Sequence, residues 1–224
     1  MGSPDVPADR RPRWETLGAA LYRAIEFSPA RSLLQTGVVR SYRLRTRQVG
    51  DLDLATVLRL LDALSASGVV VHLAGGWGVD ALAGRQTRLH DDLDVAFPAA
   101  PGVEARLTEA LAGEGFVRDG RETAPAALFP ICLVARDELG RRVDLLPMAP
   151  WPPGSPAVTP AGAEDIALPT LLPEDFVTGR VGRGGRARPV SCLCPRLQVA
   201  ARQVHAPRRS DRHDLALLRR LAAG

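Results

Sequence analysis

Two short segments with the character of buried strands constrain the fold of this chain most, because each is bounded by residues that end a strand. Val69–Ala74 is a largely apolar, β-branched run that stops at the pair Gly75 and Gly76. Asp92–Phe97 alternates acidic with apolar residues, the two-residue period of a strand, and Pro98 follows it. A helix fits between the glycine pair and the second strand. The order strand, tight turn, helix and strand predicts an α/β fold.

Further helices and a hairpin extend this pattern. Asp53 or Asp51 is expected to cap a helix over residues 54–64, whose apolar side chains recur every three or four positions. A second helix is expected over residues 103–112. Two apolar runs, at 129–135 and 141–148, are separated by turn-forming residues and predict a hairpin. The expected architecture is a small mixed sheet with flanking helices.

Prolines cluster between residues 150 and 160, and we place a boundary near residue 150. In the C-terminal part, helices are expected from Pro195 to about His205 and again from Ser210, which would act as a cap. The chain is therefore divided into three parts. These are an N-terminal extension with a short helix, residues 1–50, an α/β domain, residues 51–150, and a mainly helical C-terminal region, residues 151–224.

The composition is that of a folded protein, with 46% hydrophobic and 24% charged residues among 224. No apolar run is long enough to cross a bilayer, and the polar N-terminus lacks the apolar core of a secretory signal. Cys132, Cys192 and Cys194 are an odd number and do not have the spacing of a zinc site. We expect a cytoplasmic protein with no membrane partner.

The formal net charge of +4 and the pI of about 9.6 invite a nucleic-acid interpretation. All 29 of these basic residues are arginine, however, and no lysine is present. Abundant Ala, Gly, Pro and Arg together are typical of coding bias in a GC-rich genome, so the charge is a weak guide to partners. Nucleic acid is a partner that the sequence allows but does not favour.

Three acidic residues form the candidate catalytic set. Asp92 and Asp94 lie two positions apart in a strand, so both carboxylates project from the same face. Two such close carboxylates repel each other unless a cation lies between them, and oxygen ligands select a hard divalent ion such as Mg²⁺. Asp144, flanked by apolar residues on another expected strand, could complete the set. Three carboxylates around one or two Mg²⁺ ions are what nucleotidyl transfer requires.

Three segments around these acids carry motifs in a specific order: Gly75–Leu82, Gly84–Arg88 and His90–Asp94. They contain a Gly-Gly helix start followed by Trp, a Gly-Arg-x-Thr-Arg loop, and an Asp-hydrophobic-Asp pair. In this order they resemble the aminoglycoside and lincosamide nucleotidyltransferases of the polymerase-β-like superfamily. The resemblance covers roughly residues 55–150 and implies the polymerase-β-like nucleotidyltransferase fold.

The same resemblance implies roles for the acids. Asp92 and Asp94 would bind metal, and Asp144 would complete the metal site or serve as the general base. The C-terminal segments Val190–Leu193 and Asp211–Leu215 also look like the ends of lincosamide-type members. Residues 1–50 have no counterpart in this resemblance.

Four further residues are expected to bind the nucleotide. Gly75 and Gly76, at a strand end and a helix start, would let backbone N–H groups approach a phosphate closely. Arg85 and Arg88 lie between this turn and the acids, where a guanidinium could reach triphosphate oxygens. His90 is expected to orient the loop by hydrogen bonding rather than to transfer a proton.

The function we expect is Mg²⁺-dependent transfer of a nucleoside monophosphate, AMP from ATP, to a hydroxyl of a lincosamide or aminoglycoside antibiotic. The basic chain argues mildly against a polycationic aminoglycoside. Two alternatives stay open: a toxin-type enzyme acting on tRNA or a protein, and a catalytically silent nucleotide-binding module. The three intact acids argue against the silent module. Either a monomer or a homodimer fits the sequence.

Overall fold

The computed structural model describes residues 51–124, 127–182, 187–203 and 206–223, so the helix expected within residues 1–50 lies outside it. In chain order the regular elements are α1 (Leu54–Ala66), β1 (His72–Leu73), α2 (Gly75–Leu82), β2 (Asp92–Pro98), α3 (Val103–Gly113), β3 (Val117–Thr123), β4 (Ile131–Arg136), β5 (Arg142–Met148), a short 3₁₀ turn (Pro173–Asp175), β6 (Phe176–Val181), β7 (Arg188–Leu193), α4 (Pro195–Ala200) and α5 (Arg209–Ala223).

Helix α1 begins where the sequence predicts. Asp53 is its N-cap, and the Asp53 carboxylate accepts a hydrogen bond of 2.7 Å from the backbone N–H of Thr56. Leu60 and Leu64, one turn apart, are completely buried. Gly68 follows the helix with a φ of +70°, and this left-handed residue turns the chain towards β1.

The seven strands form one mixed sheet in the order β3-β4-β5-β2-β1-β7-β6. The pairs β2–β5 and β1–β7 are parallel, and the other neighbours are antiparallel. This arrangement confirms the predicted mixed sheet. Strand β1 is shorter than expected, since only His72 and Leu73 pair with their neighbours.

Alternation along β2 sorts its side chains onto two faces of the sheet. Leu93, Val95 and Phe97 are buried in the main core with the apolar faces of α1 and α3. Burial of each such side chain contributes about 1.5–3 kcal/mol relative to exposure. Asp92 and Asp94 therefore lie on the opposite face, where they are half-buried.

The C-terminal part contributes strands as well as helices. Strand β7 pairs in parallel with β1 through Leu73 and Cys192, and β6 pairs with β7 as a hairpin. The sheet thus extends across the boundary that the sequence placed near residue 150, and the described residues belong to one compact unit. The sequence analysis did not assign β6 and β7.

The two C-terminal helices differ from expectation at their ends. Helix α4 stops at Ala200 rather than near His205, and His205 itself lies outside the described residues. Helix α5 starts at Arg209, so the prediction that Ser210 caps it was wrong. The Asp211 carboxylate instead accepts a hydrogen bond of 2.8 Å from the Arg208 backbone N–H. None of the helices described here has the length and apolar character needed to cross a membrane.

Candidate active site

The chain leaves β1 through a turn that requires glycine. Gly75 has a φ of +54°, and a Cβ added there would overlap the Oδ2 atom of Asp94. A Cβ on Gly76 would overlap the His90 ring and approach the Arg88 guanidinium at 2.6 Å. Helix α2 starts at this turn, so its first backbone N–H groups must find partners outside the helix. The glycine turn is therefore in direct contact with the acidic strand.

Strand register brings the three predicted acids to neighbouring positions on one face. In the parallel pair β2–β5, Asp94 is opposite Asp144, and Asp92 is opposite Arg142. Asp92 and Asp94 line a cavity of about 200 Å³ together with the Gly75-Gly76 turn. The side chain of Asp144 is buried on the adjacent strand.

The three carboxylates are close enough to perturb one another. Burial, followed by the charges of Asp92 and Asp144, raises the pKa of Asp94 well above its usual value. Burial also raises the pKa of Asp144, against the opposing effect of its hydrogen bond from Arg142. A cation at this face would relieve the repulsion between the carboxylates.

Arg142 orients the Asp144 carboxylate. Its Nε donates to Asp144 Oδ1, and its two terminal nitrogens donate to the carboxylate of Glu122 at 2.9 and 2.8 Å. Glu122 is exposed on the edge strand β3. Asp144 is therefore held between Asp94 on the neighbouring strand and a guanidinium that is itself anchored.

The acids fit a divalent ion by their chemistry. Within the described ranges, no three His, Cys, Asp or Glu side chains already converge as a metal site. Asp92 and Asp94 present two carboxylates to the cavity, and Asp144 would add a third only after turning from Arg142. Oxygen donors of this kind suit Mg²⁺, which keeps several water ligands and binds through one or two carboxylates.

The rest of the cavity wall consists of arginines, apolar residues and one further acid, Asp211, which forms an ion pair with Arg208. The cationic residues are Arg88, Arg202 and Arg208, and the apolar ones include Ala127, Leu128, Phe129 and Leu146. The charge of Arg202 opposes the rise in the pKa of Asp94 that burial and the neighbouring acids cause. Guanidinium groups beside acids on a glycine turn provide donors for phosphate oxygens.

A buried ion-pair cluster lies behind two of these arginines. Arg88 donates to Asp214 through Nε and Nη2, each at 2.9 Å, and Arg202 Nη2 donates to Asp214 at 2.9 Å. Burial alone would raise the pKa of Asp214, but the hydrogen bonds and charges of the two arginines lower it. Burial would lower the pKa of Arg88, but Asp214 raises it above its usual value.

His90 belongs to a second buried network, which supports the loop before β2. Its Nε2 lies 2.5 Å from Asp80 Oδ2, and Asp80 Oδ1 accepts hydrogen bonds from the Thr87 backbone and hydroxyl at 2.9 and 2.5 Å. The Trp77 ring packs at 4.8 Å from the His90 ring. His90 therefore orients the loop by hydrogen bonding, as the sequence predicts.

Of the four residues expected to bind nucleotide, three line the cavity and one does not. Gly75, Gly76 and Arg88 contribute to the wall. Arg85 is exposed and is not part of it, because Gly84, with a φ of +66°, turns the chain away from α2 immediately before Arg85. The sequence interpretation that placed Arg85 beside the triphosphate is not supported by this position.

Three residues of the site were not identified from the sequence. Arg202, Arg208 and Asp214 come from α5 and the segment before it. Their only sequence signal was the similarity of residues 211–215 to the ends of lincosamide-type members. Long-range packing against the loop before β2, rather than any local pattern, brings them to the acids.

Known proteins resemble this chain in sequence and in fold. Residues 56–218 match the family described as aminoglycoside-2''-adenylyltransferase. The lincomycin-bound crystal structure of lincosamide antibiotic adenylyltransferase LnuA is similar over 77% of this chain and 99% of that chain, with a TM-score of 0.58 and 21% identity. The solution structure of antibiotic-resistance factor ANT(2'')-Ia is similar over 76% of this chain and 84% of that chain, with a TM-score of 0.53 and 18% identity. At these identities the two structures show a shared fold. No curated protein sequence matches the chain significantly.

Proposed function

Because the chain belongs to the aminoglycoside-2''-adenylyltransferase family, whose members are nucleotidyltransferases, we propose that it transfers AMP from ATP, with Mg²⁺, to a hydroxyl of an antibiotic. Transfer of a nucleotide to an antibiotic is the general reaction of the family. The acceptor we propose is of lincosamide or aminoglycoside type. The observation that carries the proposal is the acid pair Asp92 and Asp94 in one cavity with the Gly75-Gly76 turn and the arginines.

In this proposal the metal is held by Asp92 and Asp94, with Asp144 as a third ligand. When bound, Mg²⁺ would neutralise charge on the triphosphate and on the leaving pyrophosphate. Burial, followed by the charges of Asp92 and Asp144, raises the pKa of Asp94, and a bound cation would relieve the effect of the neighbouring charges, which supports this assignment.

The chain's own groups bind and orient the substrates. Backbone N–H groups at Gly75 and Gly76 would donate to phosphate oxygens at the start of α2, where the helix dipole favours negative charge. Arg88, Arg202 and Arg208 would bind the remaining phosphate charge. Arg85 is left out of the proposal because it lies outside the cavity.

Asp144 is the proposed proton acceptor. The acceptor oxygen would form a bond to the α-phosphorus while the bond from that phosphorus to the pyrophosphate oxygen breaks, and the hydroxyl proton would pass to the Asp144 carboxylate. Burial raises the pKa of Asp144 and so favours proton uptake. Arg142 donates to Asp144 Oδ1 and would release this carboxylate when it turns towards Asp92 and Asp94.

The first experiment measures pyrophosphate release from each of the four NTPs with Mg²⁺, with and without a panel of lincosamides and aminoglycosides. We expect release that requires ATP and one antibiotic class, and a fall of about 1,000-fold in Asp92→Asn and Asp94→Asn, equivalent to roughly 4 kcal/mol of transition-state stabilisation. Asp119→Asn is the matched control, because Asp119 forms an exposed ion pair with Arg136 away from the cavity.

Each other outcome has a defined meaning. Tight Mg·ATP binding without release on any antibiotic would contradict the small-molecule acceptor and favour tRNA or a protein. Absence of nucleotide binding would contradict the catalytic proposal as a whole. Release that survives in both variants would contradict the roles assigned to the two acids.

A further inference from the structure

Asp214 is a buried carboxylate that does not itself line the cavity but holds two residues that do. It lies in α5 and is 1% exposed. Its two oxygens accept three hydrogen bonds of 2.9 Å, two from Arg88 and one from Arg202. Both arginines line the same cavity wall as Asp92 and Asp94.

Further donors of the two guanidinium groups are also anchored, whereas Arg202 Nε has no hydrogen-bond partner among the described residues. Arg88 Nη1 donates to the Leu89 carbonyl at 2.9 Å. Arg202 Nη1 donates to the carbonyl and the side-chain oxygen of Gln198 at 2.8 and 3.0 Å. These contacts fix the orientation of both guanidinium groups from behind the cavity wall.

We propose that Asp214 is a positioning residue for the nucleotide, which holds Arg88 and Arg202 in the orientation that binds the triphosphate. This inference rests on the proposed function, since it assumes that the cavity binds an NTP. It adds a role for α5, because the carboxylate couples the packing of this helix to the phosphate-binding wall. A fixed guanidinium loses little freedom when phosphate binds, and that is the source of the affinity.

The effect of Asp214→Asn distinguishes positioning from simple charge. The substitution keeps the shape of the side chain and adds one net positive charge behind the wall. If Asp214 acted only through its charge, phosphate binding would become tighter. If it positions the arginines, phosphate binding becomes weaker, because Asn offers one acceptor oxygen in place of two. The sign of the change therefore decides between the two.

The probe is inorganic tripolyphosphate with Mg²⁺, measured by titration calorimetry, beside steady-state kinetics with ATP. For Asp214→Asn we expect the Kd for tripolyphosphate and the KM for ATP to rise about 10- to 100-fold, the range for loss of one charge-assisted hydrogen bond. We expect kcat to change less than about 3-fold, since Asp214 touches no reacting atom. Asp119→Asn, with the same change in charge on the exposed edge strand, should behave as the wild type.

A second variant keeps the test decisive if Asp214→Asn does not fold. Arg202→Lys retains the charge but cannot donate to Asp214 and Gln198 in the same fixed geometry. We expect weaker tripolyphosphate binding in this variant as well. Unchanged or tighter binding in folded Asp214→Asn, or unchanged binding in Arg202→Lys, would overturn the positioning role alone. Failure of the wild type to bind both Mg·ATP and tripolyphosphate would overturn the proposed function too.

Discussion

The Asp94 carboxylate lies where a Cβ on residue 75 would be, and this explains why the turn at the start of the site contains glycine. The left-handed φ of +54° and the overlap that a Cβ would make with Asp94 Oδ2 are independent requirements. The first concerns the backbone, and the second concerns the acid that we propose as a metal ligand. Substitution should therefore affect stability and activity separately.

We expect Gly75→Ala to lower kcat about 100-fold, because the new methyl group displaces the Asp94 carboxylate by a distance on the order of 1 Å. Backbone strain should also lower the free energy of unfolding by roughly 1–3 kcal/mol. Gly84→Ala is the matched control: Gly84 also has a positive φ, +66°, but nothing lies within 4 Å of its Cβ position. Gly84→Ala should lose stability by about 1 kcal/mol and keep its activity. Equal activities of the two variants would contradict the prediction.

His72 gives the protein a pH-dependent stability that is separate from the site. It is buried in β1, with Nδ1 at 2.6 Å from Ser191 Oγ and its ring stacked at 3.7 Å on Phe176. Burial lowers the pKa of His72 to about 4. In the unfolded chain the pKa is near 6.5, so the unfolded state takes up a proton first as the pH falls.

The stabilising contribution of neutral His72 is therefore complete above pH 6.5 and decreases as the pH falls towards 4. The difference in pKa corresponds to a loss of roughly 3 kcal/mol across that window. We expect the unfolding free energies of the wild type and His72→Gln, measured in urea, to change relative to each other by about this amount between pH 6.5 and 4. Parallel pH profiles of the unfolding free energy for the two proteins would refute the contribution assigned to His72.

At the scale of elements, the contact between α2 and β6 fixes the position of helix α2. Gly179 in β6 lies against the backbone of Ala81 in α2, and a Cβ there would be 2.7 Å from the Ala81 carbonyl carbon. The neighbouring backbone cannot rotate away as a flexible side chain could. The strand can therefore approach the helix only at glycine.

Gly179→Ala should lower the free energy of unfolding by about 1–3 kcal/mol, the usual effect of overpacking a tight contact. Gly113→Ala is the comparison, because the Cβ position at the end of α3 is open. Alanine there should leave the Tm unchanged or raise it slightly, since it favours the helix by up to about 1 kcal/mol. The Tm of each variant is measured by thermal unfolding, monitored by circular dichroism. A Tm for Gly179→Ala equal to that of the wild type would show that α2 can shift without loss of stability.

Elements with a local pattern were predictable from the sequence, and the others were not. Helix α1, strand β2 and the β4–β5 hairpin follow from apolar periodicity and turn residues. Strand β3 is exposed along its whole length, so its polar sequence carries no alternation to detect. Strand β7 pairs with β1 across a long stretch of chain, and parallel pairing leaves no local turn signal.

The same distinction applies to the site. Asp92, Asp94 and Asp144 were predictable as one group, because alternation and parallel pairing put them on one face. Arg202 and Asp214 were not, because helix packing far along the chain brings them there. That Arg85 lies outside the cavity was not predictable, because its distance from the acids in sequence says nothing about the left-handed turn that precedes it.

At the scale of the whole molecule, the C-terminal part completes the sheet and the core. Val79 of α2 packs on Leu217 and Leu218 of α5, and Leu73 is covered by its pairing with Cys192. Exposing several such side chains at about 1.5–3 kcal/mol each costs an amount comparable to the roughly 5–15 kcal/mol by which a domain is stable.

We therefore expect a fragment of residues 51–150 not to fold, although it contains all three predicted acids. Far-UV circular dichroism during heating should show no cooperative transition for this fragment. Residues 51–224 should show a single cooperative transition under the same conditions. A folded fragment with a defined Tm would show that the boundary near residue 150 separates two independent domains.

The parallel pairing of β1 with β7 also affects how the chain folds during its synthesis. His72 meets Ser191, which follows 119 residues later in the chain. At a synthesis rate of about 5–20 residues per second, roughly 6–24 s separate the emergence of the two strands from the ribosome. During that interval the nascent chain presents an apolar strand with one unpaired edge. An unpaired edge of this kind is prone to aggregation, so shielding it until the last strands have been translated favours correct folding.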